Sequence, residues 1–177
     1  AEKPAAWLRQ ITAARDLPAG EVLECDVIVV GTGAGGAVVA NELAEQGIAV
    51  LMVEEGELHQ RQDFTRRSIP ATQQLYRNAG LTGVIGNSVI PIPLGRAVGG
   101  STVINSGTCF RVSEWILENW RHDLGLLELT EDHLAPFYEK VERTLEIAPS
   151  TKEARGPVSD VIAQGAEALG WSHFPVR

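Results

Sequence analysis

The 31 residues "CDVIVVGTGAGGAVVANELAEQGIAVLMVEE", positions 25–55, leave this chain few ways to fold. Residues 25–30 are a short, continuous, β-branched apolar run, the pattern of a strand buried on both faces of a parallel sheet. Residues 37–47 then read as a helix of about three turns, with Val38, Leu43 and Gln46 along it and Gly47 as its stop. Residues 48–55 read as a second buried strand. A strand, a helix and a parallel strand in that order make a right-handed β-α-β unit, so the class is α/β and the fold expected is Rossmann-like.

Between the first strand and the helix, Gly31, Gly33 and Gly36 satisfy G-x-G-x-x-G in the context that gives that spacing its meaning. Gly31 permits the tight turn, Gly33 lets backbone approach a pyrophosphate, and Gly36 lets helix and strand pack closely. The free amides at the helix N-terminus then face the diphosphate. Glu54, first of two acids after the second strand and about twenty residues on, is placed to accept hydrogen bonds from an adenosine ribose. These residues point to a dinucleotide and leave NAD and FAD both open.

Charge and composition exclude other partners. The net charge is −8 and no Lys or Arg run exceeds two (Arg66, Arg67), so no nucleic acid is expected. No segment approaches the eighteen or so apolar residues of a membrane-spanning helix, and the opening "AEKPAAWLRQ" lacks the apolar stretch of a signal peptide. Cys25 and Cys109 are read as buried thiols, neither a disulfide nor a metal pair. No His pair has metal-ligand spacing, so no metal is expected.

Further along, residues 1–23 read as a short helix and linker, ahead of a nucleotide-binding portion over 24–177. Residues 57–80 read as a solvated excursion with a helix around 71–78, and residues 83–95 as two short strands about "GN", with Pro91 and Pro93 marking an edge. Ser113 caps a helix over 114–124, and Thr130 another, whose Leu134, Phe137, Tyr138, Val141 and Leu145 form an apolar stripe expected in the core. A last helix spans 159–169 and stops at Gly170.

A second glycine-rich stretch, "GRAVGGSTVINSG" at 95–107, is more than a single phosphate turn requires. Gly99 and Gly100 allow close approach, and Ser101, Thr102 and Asn105 offer hydrogen-bonding groups, which suits a chain that also wraps an isoalloxazine and ribityl group. The same residues also read as a loop before a short helix capped by Ser101.

Together, "CDVIVVGTGAGGAVVANELAEQGIAVLMVEEGE" and "GRAVGGSTVINSGTCFR" resemble the N-terminal part of the glucose-methanol-choline (GMC) oxidoreductases, FAD-dependent enzymes that oxidise alcohols. The resemblance runs over 26–120, weakens afterwards, and is nearest to the long-chain-alcohol-oxidase-like and bacterial branch. It implies that Ala34 and Gly35, with Gly31, Gly33 and Gly36, lie on the FAD diphosphate and that Glu54 holds the ribose. It implies likewise that Arg96, Gly99, Gly100, Ser101, Asn105 and Thr108 line the flavin side, and that the substrate is an alcohol, long-chain or otherwise hydrophobic.

The family's catalytic base, a His with a His or Asn neighbour, comes from its C-terminal part, and nothing here matches it. His59 lies in the polar excursion, His122 near a helix end, His133 in a capped first turn and His173 in the tail, so no catalytic residue is assigned. The expectation is the N-terminal FAD-binding portion of a longer alcohol-oxidising flavoenzyme, inactive alone. An NAD-dependent dehydrogenase module, or a flavoprotein-like fold kept for binding without catalysis, are the competing readings.

Overall fold

A computed structural model describes residues 10–176, which fall into two compact units divided between residues 104 and 105. The first nine residues of the expected N-terminal helix lie outside the described residues; the described part of that segment holds a 3-10 turn at Ala14–Asp16.

The first unit is built on strands β1 (Val27–Val30) and β2 (Val50–Val53), joined by helix α1 (Ala34–Glu45). The strands pair in parallel, Val27 with Val50 through to Val30 with Val53, and α1 packs on both. Both ends of the ladder are secured. The Asp26 carboxylate accepts from the Ala49 amide at 2.9 Å, and the Gly31 amide donates to the Val53 carbonyl at 2.7 Å. Gly47, with Ile48 donating back to the Leu43 carbonyl at 3.2 Å, ends the helix and turns the chain into β2.

The expectation that β1 is buried on both faces does not hold. Val29 faces α1, while Ile28 and Val30 are 60% and 84% exposed. Among the described residues this sheet has only two strands and a helix on one face, so side chains alternating to the other face have nothing to pack on.

After β2, helix α2 (Ser68–Leu75) starts and stops three residues before the 71–78 expected. The reason lies in the segment it meets: Tyr76 turns extended and bridges Gly95, the Arg96 amide donates to the Leu75 carbonyl at 2.7 Å, and the Arg77 amide to the Leu94 carbonyl at 2.8 Å. The two short strands expected over 83–95 form a hairpin of β3 (Gly83–Val84) and β4 (Ile90–Pro91), in which Gly83 pairs with Pro91. Buried here are Ala40, Leu75 and Ala97.

The second unit holds helices α3 (Glu114–Leu124), α4 (Glu131–Thr144) and α5 (Pro157–Ala168). Thr130 caps α4 as expected, its hydroxyl accepting from the His133 amide at 3.1 Å. Ser113 occupies the cap position of α3 but makes no side-chain cap bond. The last helix begins two residues before the expected start because Pro157, with its fixed φ, occupies its first turn.

Leu117 is fully buried, whereas Phe137, Val141 and Leu145 of the expected core stripe are exposed. What does pack on α4 is polar at its head: Arg111 forms a bidentate pair with Glu142, at 2.9 and 2.8 Å, and lies 5.5 Å over the Tyr138 ring. Cys25 and Cys109 are half-buried free thiols, not the buried ones expected. No helix among the described residues is long and apolar enough to cross a membrane.

Candidate dinucleotide site

Four glycines and two side chains of the first unit build the site. Gly31 has φ +92°, a conformation that a residue with Cβ seldom adopts, and this turn lifts the chain from β1 over the end of β2. Gly33 is the cap residue of α1, whose first internal bond runs from the Ala37 amide to the Gly33 carbonyl at 2.9 Å. The amides of Ala34, Gly35 and Gly36 therefore precede the helical ladder, at the positive end of the helix.

The space around these glycines separates their roles. A Cβ on Gly36 would stand 2.1 Å from the Gly31 carbonyl oxygen, so this position serves helix-to-strand packing. A Cβ on Gly33 or Gly35 would meet nothing within 4 Å. That open ground in front of unpaired helix amides is the cradle a diphosphate requires, and the residues present fit one.

Glu54 reaches into this turn. Its Oε2 accepts from the Thr32 amide at 2.8 Å and the Thr32 hydroxyl at 2.6 Å, and its Oε1 from the Gly56 amide at 2.9 Å. A ribose hydroxyl meeting Glu54 would find a carboxylate fixed in place by the loop it serves. Partial burial pushes its pKa up, but the Thr32 hydroxyl and the Thr32, Gly56 and Glu55 amides outweigh that, leaving the carboxyl below its ordinary value.

The sign of the pH effect follows. A group with a depressed folded pKa contributes stability that is complete above its unfolded value and lost as pH falls through the folded one. The thermal stability of the wild type is therefore expected to fall as pH drops below about 4.5, the ordinary value, and Glu54→Gln to be less stable at neutral pH but flatter in that acid window. Equal acid slopes for the two proteins would refute the assignment.

The second glycine turn packs directly on the first. Gly99, with φ +100°, donates its amide to the Thr32 hydroxyl oxygen at 2.8 Å, and a Cβ on Gly100 would stand 3.0 Å from Gly33 Cα. Residues Gly100–Val103 form a 3-10 turn. Ser101 does not cap it: its hydroxyl accepts from the Gly95 amide at 3.0 Å, closing the turn at its base.

Arg96 lies 3.9 Å from Glu55, which also pairs with Arg77. Arg96 borders a cleft of about 680 Å³ shared with Glu57, His59, Gln62 and Tyr76. There the expected solvation of His59 fails, since its Nε2 is buried without a hydrogen-bond partner.

Asn105 and Thr108 belong to the second unit, where Asn105 Oδ1 accepts from the Gly107 amide at 2.7 Å and the Ser106 and Thr108 hydroxyls lie 3.4 Å apart. Of the other histidines, His122 and His173 pair with Asp123 and Glu167, and His133 lies against Phe137. No group of three His, Cys, Asp or Glu residues able to hold a metal occurs among the described residues.

Two residues that the sequence reading passed over are Thr32 and Gly56. Thr32 is an "x" of the motif, legible only as a hydroxyl at an unspecified position. A Cβ on Gly56 would stand 2.2 Å from the Ala97 nitrogen, and the sole sequence sign of this is a glycine directly after two acids.

A β-α-β unit with an open glycine turn at the helix N-terminus, closed by a carboxylate from the second strand, defines a dinucleotide-binding α/β fold. A family model described as GMC oxidoreductase matches residues 72–177, and the chain belongs to that family. An uncharacterized GMC-type oxidoreductase of Mycobacterium tuberculosis is 41% identical over 178 residues, covering 99% of this chain and 28% of the relative. A long-chain-alcohol oxidase of Arabidopsis thaliana is 28% identical over 149 residues, 84% of this chain and 20% of the relative. The chain thus spans between a fifth and a third of these relatives' lengths.

Among solved structures, an FAD-dependent oxidoreductase from Chaetomium thermophilum shares the fold, with a TM-score of 0.56 at 19% identity over 83% of this chain and 30% of that one.

Proposed function

We propose that residues 24–177 are the N-terminal portion of an FAD-binding domain, within an enzyme that oxidises the CH–OH group of an alcohol. The observation that carries this reading is the open ground before Gly33 and Gly35, bordered on one side by helix amides and on another by a second glycine turn. A module for NAD needs the first turn but has no use for the second.

When bound, FAD supplies the acceptor for the hydride leaving the alcohol carbon. The chain's own residues bind and orient it. The amides of Ala34, Gly35 and Gly36 meet the diphosphate at the positive end of α1, with Gly31 and Gly33 allowing the approach. Glu54 accepts from the adenosine ribose. Gly99 and Gly100 bring backbone close on the flavin side, and Arg96, Ser101, Asn105 and Thr108 are assigned there by the family resemblance. No residue of this chain is assigned the proton-abstracting role. A long-chain or otherwise hydrophobic alcohol as substrate is supported by the Arabidopsis thaliana relatives named long-chain-alcohol oxidases.

The test is an absorbance spectrum of the purified full-length protein. Flavin bands are expected, with FAD released on denaturation. A colourless protein that takes up NAD but not FAD would overturn the reading.

A further inference from the structure

Thr32 makes contacts that its place in the motif does not require. Its hydroxyl has one proton to give, and Glu54 Oε2, at 2.6 Å and ionised, can only accept it. With the proton so committed, the lone pairs of the Thr32 oxygen face the Gly99 amide, 2.8 Å away. The bonds run in one direction, from Gly99 N–H to the Thr32 hydroxyl to Glu54, and each link polarises the next. The Thr32 amide adds a second bond to the same Oε2 at 2.8 Å, so residue 32 is held at both backbone and side chain.

The consequence falls on the next residue. Gly33, whose open face is the proposed diphosphate ground, follows Thr32 directly, and Gly100, which follows Gly99, abuts Gly33 Cα. One hydroxyl therefore sets the spacing between two glycine turns that lie 67 residues apart.

We propose that Thr32 is a positioning residue for the cofactor: its hydroxyl clasps the second glycine turn onto the first and orients Glu54, pre-shaping the cradle. The inference rests on the FAD reading above for its ligand but not for its geometry. Thr32→Val keeps the shape and the backbone bond while deleting both hydroxyl bonds, leaving the Gly99 amide without its acceptor. Thr32→Ser retains the hydroxyl.

The experiment uses the full-length protein and two readouts. Amide hydrogen exchange at Gly99, followed by mass spectrometry in the FAD-free protein, reports the clasp. FAD titration reports its effect on binding.

T32V is expected to speed Gly99 exchange about tenfold or more and to weaken FAD binding by about ten- to a hundredfold, with T32S close to wild type in both. Wild-type exchange and affinity in T32V would overturn the inference, as would weakened FAD binding with Gly99 exchange unchanged. Should T32V fail to fold by circular dichroism, Thr32→Ala is read in the same way. A wild type that takes up no FAD would refute the proposed function alone; Gly99 exchange would still decide the clasp, faster exchange in T32V supporting it and unchanged exchange refuting it.

Discussion

Replacing Gly33 by leucine is expected to abolish FAD binding in a protein that still folds, and replacing Gly36 by alanine, three residues on, to damage the fold itself. The two glycines belong to one motif, but their surroundings differ. A Cβ at Gly33 meets nothing within 4 Å, and its φ of −66° is one that any L-residue adopts, so leucine there occupies space that only a ligand needs. Affinity for FAD is expected to fall by a factor of about a hundred or more, since a side chain in the proposed diphosphate ground would exclude the helix amides from their partner.

At Gly36 even one methyl meets the Gly31 carbonyl oxygen at 2.1 Å, and Val29 stands 3.2 Å away. Both Gly31 and α1 would have to move, and the cost expected is about 3 kcal/mol or more, at the upper end for overpacked sites. Urea unfolding of the full-length protein separates the outcomes: a midpoint lowered only by the roughly 1 kcal/mol of a poorer helix cap for Gly33→Leu and a strongly lowered one for Gly36→Ala. A Gly33→Leu as destabilised as Gly36→Ala, or a Gly36→Ala as stable as wild type, would contradict this division of roles.

Gly56→Ala is expected to be as damaging, at a place outside either glycine motif. The new methyl would lie 2.2 Å from the Ala97 nitrogen and 2.4 Å from both Ala97 Cα and the Arg96 carbonyl carbon. None of these atoms can retreat. Ala97 is only 1% exposed, and the strand-like segment around it is pinned on one side by the Val98 amide donating to the Glu57 carbonyl at 3.0 Å and on the other by Arg96 donating to Leu75.

Clash with backbone on a pinned segment forces the end of β2 away from the second glycine turn, and the Gly56 amide loses its bond to Glu54 as it moves. A loss of about 3 kcal/mol and of FAD binding together is expected, read by denaturant unfolding and FAD titration. Normal stability in Gly56→Ala would show that 54–57 and 95–98 do not pack as described.

The β-α-β unit was legible because its signals are short-range: β-branched runs, a glycine turn between them, and Gly47 to end the helix. The hairpin about "GN" and the Thr130 cap were legible for the same reason, each resting on residues a few positions apart. The boundaries of α2 were not, because Leu75 and Tyr76 answer to Gly95 and Arg96, twenty residues further on.

Burial was the least legible property. Apolar patterning along β1 and α4 states which side chains suit a core, but Ile28, Val30, Phe137 and Val141 are exposed because no described layer lies over them. Periodicity measures a residue's preference for burial, whereas burial itself depends on what else arrives.

The same division runs through the site. Gly31, Gly33, Gly36 and an acid about twenty residues on could be named from spacing alone, since the strand–turn–helix–strand order places a tight turn, an open approach, a helix-to-strand contact and a strand end at fixed intervals along the chain. That Glu54 is held by Thr32 and Gly56, that Thr32 receives the Gly99 amide, and that Gly56 must be glycine because of Ala97 are matters of contact between segments distant in sequence. Local pattern prescribes the turn that can face a diphosphate; only the folded chain brings a second turn within 3 Å of it, because such proximity belongs to the packing of two loops and to neither one's residues alone.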